Sequence, residues 1–402
     1  MEETLKIRSV TLSGDGIANL ENGKTVFVEG ALHNEVVEVD IIKEKKKFAQ
    51  ARIRKILEAS EDRIEPECVH AARCGGCSFW HTRSHFKLKQ EAAYQTISRI
   101  SKIPLPAFEA LMEEEVPDKE WRVRATYHWD GVRLGFHAKK TKEVASVYEC
   151  LVVAPQIKHA VLLAHDALRS SRTQKADVRF EVDGDNAYIT TKSFALKKLA
   201  DQDGISGLKI QDKFLGDREK VSIDLQYDGK THQVNISPGQ FRQANTFVNE
   251  HIGNFVASHI PKGSEVSEYF CGYGNLTFRY LAQTRTTFAF EASSESIAIA
   301  GTLATKFKCS NLNLARVDLF KKVPKISPIA VLDPPRAGAQ IVCEALAAEK
   351  KCSKVIYVSC DPATLARDLS ILVEGAFKVK TLLFADMFPR TSHIETLVIL
   401  ER

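Results

Sequence analysis

Hydrophobic and polar positions in the C-terminal part of the chain alternate in a way that predicts strands separated by helices. Short apolar runs that predict buried strands recur at Glu265–Phe270, Thr287–Glu291, Asn313–Val317, Ile329–Leu332, Val355–Ser359 and Thr396–Glu401. Segments of helical pattern, such as Ser293–Lys308 and Ile341–Glu349, lie between them. This repetition predicts a doubly wound α/β sheet, and ligands bind at the carboxyl ends of the strands in such sheets.

The first 60 residues have a different pattern, with short strands separated by glycine-rich turns such as Ser13-Gly14-Asp15-Gly16. The predicted strands are Leu5–Leu12, Thr25–Val28, Glu35–Ile42 and Ala49–Leu57. So many short strands in so short a segment predict an OB-like β-barrel, a fold that often binds nucleic acids.

Residues 61–235 are more irregular and predict a mixed α+β domain. Phe86–Ile100 has the apolar spacing of a helix, which is expected to pack on the C-terminal domain. Strand-like segments occur at Arg133–His137, Val178–Val182 and Ser222–Tyr227. We therefore expect three domains, over residues 1–60, 61–235 and 236–402.

Composition and the N-terminus narrow the class of protein. A chain that is 44% hydrophobic and 27% charged has the composition of a soluble globular protein. No apolar run approaches the ~18 residues that a membrane span requires. The N-terminal Met-Glu-Glu-Thr-Leu-Lys lacks the basic start and apolar core of a signal peptide, so we expect a cytoplasmic location.

Positive charge is concentrated in one short segment, although the net charge of +5 is modest. The segment contains one acid, Glu44, and seven basic residues: Lys43, Lys45, Lys46, Lys47, Arg52, Arg54 and Lys55. Such a cluster suits a phosphate backbone. A solvated strand edge, where lysines discourage unwanted pairing, is an equally good interpretation of this segment alone.

Nine cysteines without an export signal favour metal binding or catalysis over disulfides. Cys68, Cys74 and Cys77 cluster tightly, whereas Cys150, Cys271, Cys309, Cys343, Cys352 and Cys360 are dispersed. Most of the dispersed cysteines are expected to be ordinary buried thiols.

Ligand-capable residues stand at four successive predicted strand ends. Gly272-Tyr273-Gly274 follows the first strand, Glu291 ends the second, Asp318 follows the third and Asp333 follows the fourth. A Gly-x-Gly turn lets the backbone approach a ligand, and an acid about twenty residues later suits a ribose diol. Each feature is weak alone, but together they favour a nucleoside cofactor. The chain has no phosphate-binding Gly-x-x-x-x-Gly-Lys-Ser/Thr motif, which argues against a nucleoside triphosphate.

Two further segments supply groups that could react. Cys360 follows the fifth strand and precedes Asp361-Pro362, so its thiol is expected in the ligand crevice as a nucleophile. Glu395 stands just before the last strand, where it could act as a general base. Cys360 alone would suggest a buried structural thiol, but the combination with the cofactor residues favours catalysis. His393 is interpreted as a supporting polar residue near this site.

The chain resembles the RNA uracil-C5 methyltransferases of the TrmA/RumA type over nearly its whole length. The resemblance rests on five segments, which are residues 237–245 (SPGQFRQAN), 270–275 (FCGYGN), 333–338 (DPPRAG), 357–369 (YVSCDPATLARDL) and 388–396 (FPRTSHIET). It implies a Rossmann-like class I methyltransferase domain that uses S-adenosylmethionine, with Cys360 as nucleophile and Glu395 as base. It also implies a cofactor site lined by Gln243, Phe270, Asn275, Glu291, Asp318 and Asp333.

The N-terminal half is similar to one branch of that family, which acts on 23S ribosomal RNA. Residues 1–60 resemble a TRAM domain, an RNA-binding β-barrel. Cys68, Cys74, Cys77 and Cys150 resemble the four-cysteine iron–sulfur site of that branch, which implies a [4Fe–4S] cluster. Four thiolates also suit zinc, so spacing alone leaves both metals open.

The sequence departs from the family at two positions. Glu268 and Asp361 replace the usual Asp and Asn; Asp361 is expected to raise the pKa of the neighbouring thiol.

The resemblance implies structured RNA, most simply 23S rRNA, as the partner, with no membrane and no obligate protein partner. The alternatives are a transfer RNA substrate, cytosine-C5 methylation and RNA binding without catalysis. Cytosine-C5 enzymes typically add a second cysteine in a Pro-Cys pair, which this sequence lacks.

Overall fold

A computed structural model describes residues 2–112, 114 and 116–402. Its N-terminal part is a six-stranded sheet in the order β1-β5-β6-β4-β3-β2. The strands are β1 (Glu2–Lys6), β2 (Ser9–Val10), β3 (Asp15–Asn19), β4 (Thr25–Glu29), β5 (Val36–Glu44) and β6 (Phe48–Glu58). Leu5, Ala18 and Val39 share one apolar core although they come from different parts of the sheet order, so the sheet curls around that core.

The single strand expected over Leu5–Leu12 is interrupted at residues 7 and 8. The Ile7 N–H donates to Glu35 O, whereas the Arg8 N–H donates to Ile17 O. Because successive residues pair with different neighbours, the chain changes partner at this point and β1 ends before β2 begins.

The middle of the chain forms a seven-stranded sheet, in the order β10-β9-β8-β11-β12-β13-β14, and a separate two-stranded hairpin, β15-β16. The elements in this part of the chain are α1 (His85–Ser101), β7 (Glu109–Ala110), β8 (Arg124–Trp129), β9 (Leu134–His137), β10 (Val144–Ser146), α2 (Pro155–Arg169), β11 (Ala176–Asp183), β12 (Asn186–Thr191), a 3₁₀ helix (Phe194–Asp201), β13 (Ile205–Ile210), β14 (Lys213–Leu215), β15 (Val221–Tyr227) and β16 (Lys230–Ile236). Helix α2 packs on the seven-stranded sheet through buried residues such as Ile157 and Ala164.

The C-terminal part alternates helices and strands as the sequence predicted. The elements are α3 (Thr246–Ser258), β17 (Glu265–Tyr269), α4 (Thr277–Leu281), β18 (Thr286–Glu291), α5 (Ser294–Lys306), β19 (Leu312–Arg316), β20 (Ile329–Leu332), α6 (Gln340–Ala348), β21 (Lys354–Ser359), α7 (Pro362–Glu374), β22 (Lys378–Ala385) and β23 (Glu395–Glu401). Every strand predicted here is confirmed, and β22 is an addition that the sequence pattern did not reveal.

The C-terminal sheet has the order β19-β18-β17-β20-β21-β23-β22-β7. Strands β17 to β21 are parallel, whereas β23 runs antiparallel to β21, with Ser359 opposite Thr396. The amino end of β23 therefore lies at the same edge of the sheet as the carboxyl ends of the parallel strands. This reversal brings two segments that are distant in sequence to one ligand-binding edge.

Two elements from the middle of the chain, one strand and one helix, join this C-terminal domain. Strand β7 pairs with β22, and α1 packs against α7, with Ala93 and Ile97 sharing a core with Leu365 and Leu369. In the described parts of the chain, no helix is both long and apolar enough to cross a membrane.

Candidate active site

The ligand-binding edge of the C-terminal sheet opens into a cavity of about 1030 Å³. One wall comes from the strand ends, and the other comes from the seven-stranded sheet, including Arg124, Thr126 and Phe136. Seven residues predicted from the sequence line this one cavity: Gln243, Phe270, Asn275, Glu291, Asp333, Cys360 and Glu395. The cavity therefore joins the predicted cofactor residues to the predicted reacting residues.

Cys360 and Glu395 belong to adjoining strand ends. Cys360 directly follows β21 and Glu395 is the first residue of β23, next to the Ser359–Thr396 pair. The Cys360 side chain is partly buried, whereas Glu395 is only 4% exposed. A partly accessible thiol therefore faces the same space as a buried carboxyl.

Burial and nearby carboxyls control the protonation of this pair. Burial raises the pKa of Cys360 to about 12, with further contributions from Glu395 and Asp333, while Arg336 opposes the rise. Burial, reinforced by Asp333, also raises the pKa of Glu395 well above its ordinary value. Without a ligand, both groups are therefore protonated at neutral pH.

Two more carboxyls, those of Asp333 and Glu268, lie near this pair. Burial raises the pKa of Asp333 to about 7 and that of Glu268 to about 7. Glu268 accepts a hydrogen bond from the Tyr280 hydroxyl, so its departure from the family pattern keeps a hydrogen-bonded acid at this position. A site rich in buried carboxyls stabilises a cationic ligand more than a neutral one.

Glu291 is fixed at the end of β18 by backbone donors. Its Oε2 accepts the Gly272 N–H at 3.2 Å, and its Oε1 accepts the Ser293 N–H at 2.8 Å. Phe270 has φ +65° and Gly272 has φ +56°, a left-handed turn that directs the loop around the carboxylate. The geometry suits the ribose role that the sequence predicted for Glu291.

An apolar slot next to Glu291 was not predicted from the sequence. Phe270 and Phe320 have ring centroids 5.6 Å apart, and Val317 and Leu319 complete the slot. Phe320 is 47% exposed, which is unusual for a large aromatic side chain. The two rings are tilted by 54° to each other, so a flat heteroaromatic ring would stack against this apolar surface rather than between the rings, and the cavity fits a nucleoside. A phenylalanine shortly after a strand end was the available signal, but the sequence does not show that its ring is exposed.

Asp318 takes a different orientation from its neighbours. Val317 and Leu319 line the cavity, whereas the Asp318 carboxylate is 44% exposed and lies 2.9 Å from Lys321 Nζ. Its backbone position is at the cavity, and its predicted contact with a cofactor stays a prediction.

His393 lines the cavity and contacts Arg336. Burial, followed by the charge of Arg336, lowers the pKa of His393 to about 4, so the imidazole is neutral. Arg336 donates to His393 Nε2 at 3.1 Å. The supporting role expected for His393 is consistent with this contact, because the neutral ring holds a guanidinium near the thiol.

A buried lysine outside the C-terminal domain fixes the loop that precedes Glu395. Lys89, on α1, is 0% exposed, and its Nζ lies 2.5 Å from Asp386 Oδ1. The same ammonium donates to the carbonyls of Phe388 and His393, at 3.1 and 2.9 Å. Although burial tends to raise the pKa of Asp386, Lys89 and His85 hold it below its usual value. Sequence reasoning missed this contact because about 300 residues separate its partners.

The loop is also attached to the cysteine-containing segment. The Ser78 and Phe79 N–H groups donate to the Arg390 carbonyl at 2.9 and 3.0 Å. The Arg390 guanidinium donates to Asp118 at 2.7 Å. The segment after Cys77 therefore supports the loop that leads to the active site.

The four cysteines predicted as metal ligands converge on one small cavity between Trp80, Arg122 and Phe136. These cysteines are Cys68, Cys74, Cys77 and Cys150. Across the described ranges, no group of three or more His, Cys, Asp or Glu side chains is arranged to hold a metal ion. The convergence of four thiols fits a thiolate-bound group in ligand type, and the iron–sulfur cluster stays a prediction.

Two families match this chain. Residues 193–321 and 324–402 match the tRNA (Uracil-5-)-methyltransferase family, and residues 2–53 match the TRAM domain. The match confirms the expected α/β methyltransferase domain and the N-terminal TRAM domain.

Full-length relatives and a solved structure are similar over the whole chain. A protein of Mannheimia succiniciproducens named 23S rRNA (uracil(1939)-C(5))-methyltransferase RlmD is 30% identical, over 100% of this chain and 96% of its own. A protein of the same name from Histophilus somni is 29% identical, over 99% of this chain and 96% of its own. The Pyrococcus abyssi tRNA (uracil-54, C5)-methyltransferase, solved with S-adenosyl-L-homocysteine, has a TM-score of 0.76 at 18% identity and covers 100% of both chains. This structural likeness confirms the fold.

Proposed function

Because the chain belongs to the tRNA (uracil-5-)-methyltransferase family, we propose that it transfers a methyl group from S-adenosylmethionine to carbon 5 of a uracil in RNA. The observation that carries this proposal is the position of Cys360 and Glu395. They lie at adjoining ends of β21 and β23 and line the same cavity as the nucleoside-binding residues. A nucleophile and a base that act on adjacent carbons of one ring must lie close together in this way.

Bound S-adenosylmethionine supplies an electrophilic methyl group on a positively charged sulfur. The Cys360 thiolate adds to C6 of the uracil, which places electron density on C5 and O4. C5 then forms a bond to the methyl carbon as the carbon–sulfur bond breaks. Glu395 takes the C5 proton, the Cys360–C6 bond breaks, and the thiolate leaves.

The electrostatics of the cavity support this order of events. Asp333 and Glu395 both contribute to the raised pKa of Cys360; Glu395 is buried and Asp333 is partly buried. A positive ligand among these carboxyls lowers the pKa of Cys360 and of Glu395, because it stabilises their charged forms. The thiolate and the general base therefore become available when the methyl donor is bound.

The predicted cofactor contacts divide along the cavity. We assign the adenine ring to the Phe270–Phe320 slot and the ribose to Glu291. Gln243 and Asn275 would hold the amino-acid end, and Asp333 would lie near the sulfur. The exposed Asp318 side chain would reach the adenine after a change of rotamer.

We propose 23S rRNA as the substrate, since the full-length relatives are named for it. The target base must leave its stack to reach Cys360. The seven basic side chains of β5, β6 and the turn between them are all exposed, which suits contact with the phosphate backbone. Transfer RNA is the second candidate, because the solved relative of the same fold is named for it.

We also propose that Cys68, Cys74, Cys77 and Cys150 bind a [4Fe–4S] cluster with a structural role. Their convergence beside the active-site cavity supports this, and the methyl transfer needs no electron carrier. Around a single zinc ion with bonds of about 2.3 Å, four sulfurs would lie roughly 3.8 Å apart. Iron and acid-labile sulfide in protein purified without oxygen would distinguish the cluster from zinc.

The test of the proposed function is methyl transfer to defined RNA. Purified protein and methyl-labelled S-adenosylmethionine are incubated with 23S rRNA or transfer RNA from cells that lack this gene, and the nucleosides are separated. We expect label in 5-methyluridine from 23S rRNA and none with the Cys360→Ala variant. Label in 5-methylcytidine would contradict the reaction, and 5-methyluridine only from transfer RNA would contradict the substrate.

A further inference from the structure

A second cavity, of about 1280 Å³, lies behind the amino-acid end of the proposed cofactor site. Its walls are the β15–β16 hairpin, the turn between β11 and β12, and helices α3 and α4. Four residues line both this cavity and the active-site cavity: Arg242, Gln243, Tyr273 and Asn275. The two cavities therefore meet at the residues assigned to the amino-acid end of the cofactor.

The hairpin has a polar face that its packing does not explain. Its apolar face, with Val221, Leu225 and Val234, is buried against Phe278 and Leu281. The alternate residues face the second cavity: Ser222, Asp224, Gln226, Thr231, Gln233 and Asn235. Hydroxyl, amide and carboxylate groups along one wall suit the passage of a small polar molecule.

A pair of amides lies where the two cavities meet. Asn249 Nδ2 donates to Asn275 Oδ1 at 3.0 Å, and Asn275 Nδ2 donates to Asn249 Oδ1 at 2.9 Å. Asn249 lines the second cavity, and Asn275 lines both. Two short side chains joined only by hydrogen bonds can part by rotation, without movement of the backbone.

Two buried side chains near this amide pair each have one polar atom without a hydrogen bond among the described residues. Arg242 is 7% exposed and Asp183 is 1% exposed, and both line the second cavity. Among the residues described, Arg242 Nε and Asp183 Oδ2 are buried without a hydrogen bond. Buried polar atoms of this kind normally have a partner, which water or a ligand can supply. Arg242 also forms an ion pair with Glu181, and Asp183 forms one with Arg218, so each unpartnered atom is a further polar contact for water or a passing ligand.

The opposite mouth of the active site is the side that RNA must occupy. It is lined by the exposed ring of Phe241 and by His128 and His137, which stack at 4.0 Å. A target base that reaches Cys360 enters from this side, so bound RNA covers this mouth. The cofactor and its product then need a separate way in and out.

We infer that the second cavity is the passage through which S-adenosylmethionine enters and S-adenosylhomocysteine leaves while RNA remains bound, with the Asn249–Asn275 pair as its gate. The inference rests on the proposed function, because it concerns exchange at that same site. Such a passage lets S-adenosylhomocysteine leave before the methylated RNA is released. Conformational steps of this kind often limit enzyme turnover.

The test uses RNA with 5-fluorouridine at the target position. After methyl transfer, C5 of this base has no proton for Glu395 to remove, so the RNA stays covalently attached to Cys360. S-adenosylmethionine labelled in its adenosine part leaves labelled S-adenosylhomocysteine in the trapped complex. Release of the label is timed by gel filtration, and a denaturing gel of the same sample measures the covalent complex.

Three variants make the test specific. Asn235→Trp places a large ring in the second cavity, Asn249→Ala removes the gate, and Lys230→Trp adds the same ring at the exposed hairpin tip. We expect the label to leave the wild-type trapped complex, to leave faster from Asn249→Ala, and to leave at least about tenfold more slowly from Asn235→Trp. Lys230→Trp should match the wild type.

Two results would refute the inference that the second cavity is a passage for the cofactor. The label could remain in every trapped complex, or it could leave Asn235→Trp as fast as Lys230→Trp. An absent covalent complex on the denaturing gel would instead refute the proposed function, and the inference with it.

Discussion

Asp361 follows the Cys360 thiol directly and offers a way to change its protonation without moving it. Asp361 Oδ1 accepts the N–H groups of Ala363 and Thr364, at 3.0 and 2.9 Å, and so caps α7. Asparagine caps helices about as well as aspartate. The Asp361→Asn variant therefore keeps the start of the helix and removes one negative charge beside the thiol.

Asp361→Asn is expected to have a small effect on the rate at which the covalent adduct forms. Burial is the largest contribution to the raised pKa of Cys360, and Asp361 contributes less than Glu395 or Asp333. Removal of a minor neighbouring negative charge should give roughly three times more thiolate at neutral pH. Because a thiolate becomes less nucleophilic as its pKa falls, about half of this gain is lost. Adduct formation should therefore be about twofold faster.

The assay is single-turnover formation of the covalent complex with 5-fluorouridine RNA at a series of pH values. Below the pKa of Cys360 the rate should rise with pH, and the Asp361→Asn profile should be displaced toward lower pH. Asp361→Ala is the matched control, since it removes the same charge and also the cap. It should cost about 1 kcal/mol of stability, or roughly 2–4 °C in Tm for a domain of this size. A rate for Asp361→Asn that is unchanged or slower, at unchanged Tm, would refute the electrostatic reasoning.

Three other changes test separate parts of the structure. Phe320→Ala should weaken S-adenosylmethionine binding about tenfold by calorimetry, because it removes one side of the adenine slot, and Phe214→Ala should leave binding unchanged. Lys89→Met should lower the free energy of unfolding by about 3–5 kcal/mol, because it removes the ammonium from a buried ion pair and leaves Asp386 with His85 alone. Lys87→Met, exposed on the same helix, should cost less than about 0.5 kcal/mol in the same denaturant titration. Cys77→Ser should reduce the iron content of anaerobically purified protein, and unchanged iron would exclude Cys77 as a ligand.

The parts of the fold that follow from local pattern were predictable. Strands β17 to β21 are short apolar runs with turns after them, and parallel strands place their carboxyl ends at one edge. The positions of Phe270, Glu291 and Asp333 followed from that rule alone. Glu395 also reaches this edge, but through the reversed direction of β23, which apolar pattern does not reveal.

The parts that depend on distant contacts were not predictable. Strand β22 is exposed over its first half, so its apolar run is too short to stand out. The contact between Lys89 and Asp386 joins a helix from one domain to a loop of another, and a lysine in a helix is normally solvated. The second cavity depends on how the β15–β16 hairpin packs against α4, which no segment of the sequence shows by itself.

The most direct test of the central claim is the Glu395→Gln variant on unmodified RNA. If Cys360 is the nucleophile and Glu395 the base, methyl transfer proceeds but the C5 proton stays, so the covalent complex accumulates. Mass spectrometry of the digested complex should then find the Cys360 peptide joined to a nucleotide that carries one added methyl group. Free 5-methyluridine formed at the wild-type rate, or a nucleotide joined to a different residue, would contradict the assignment.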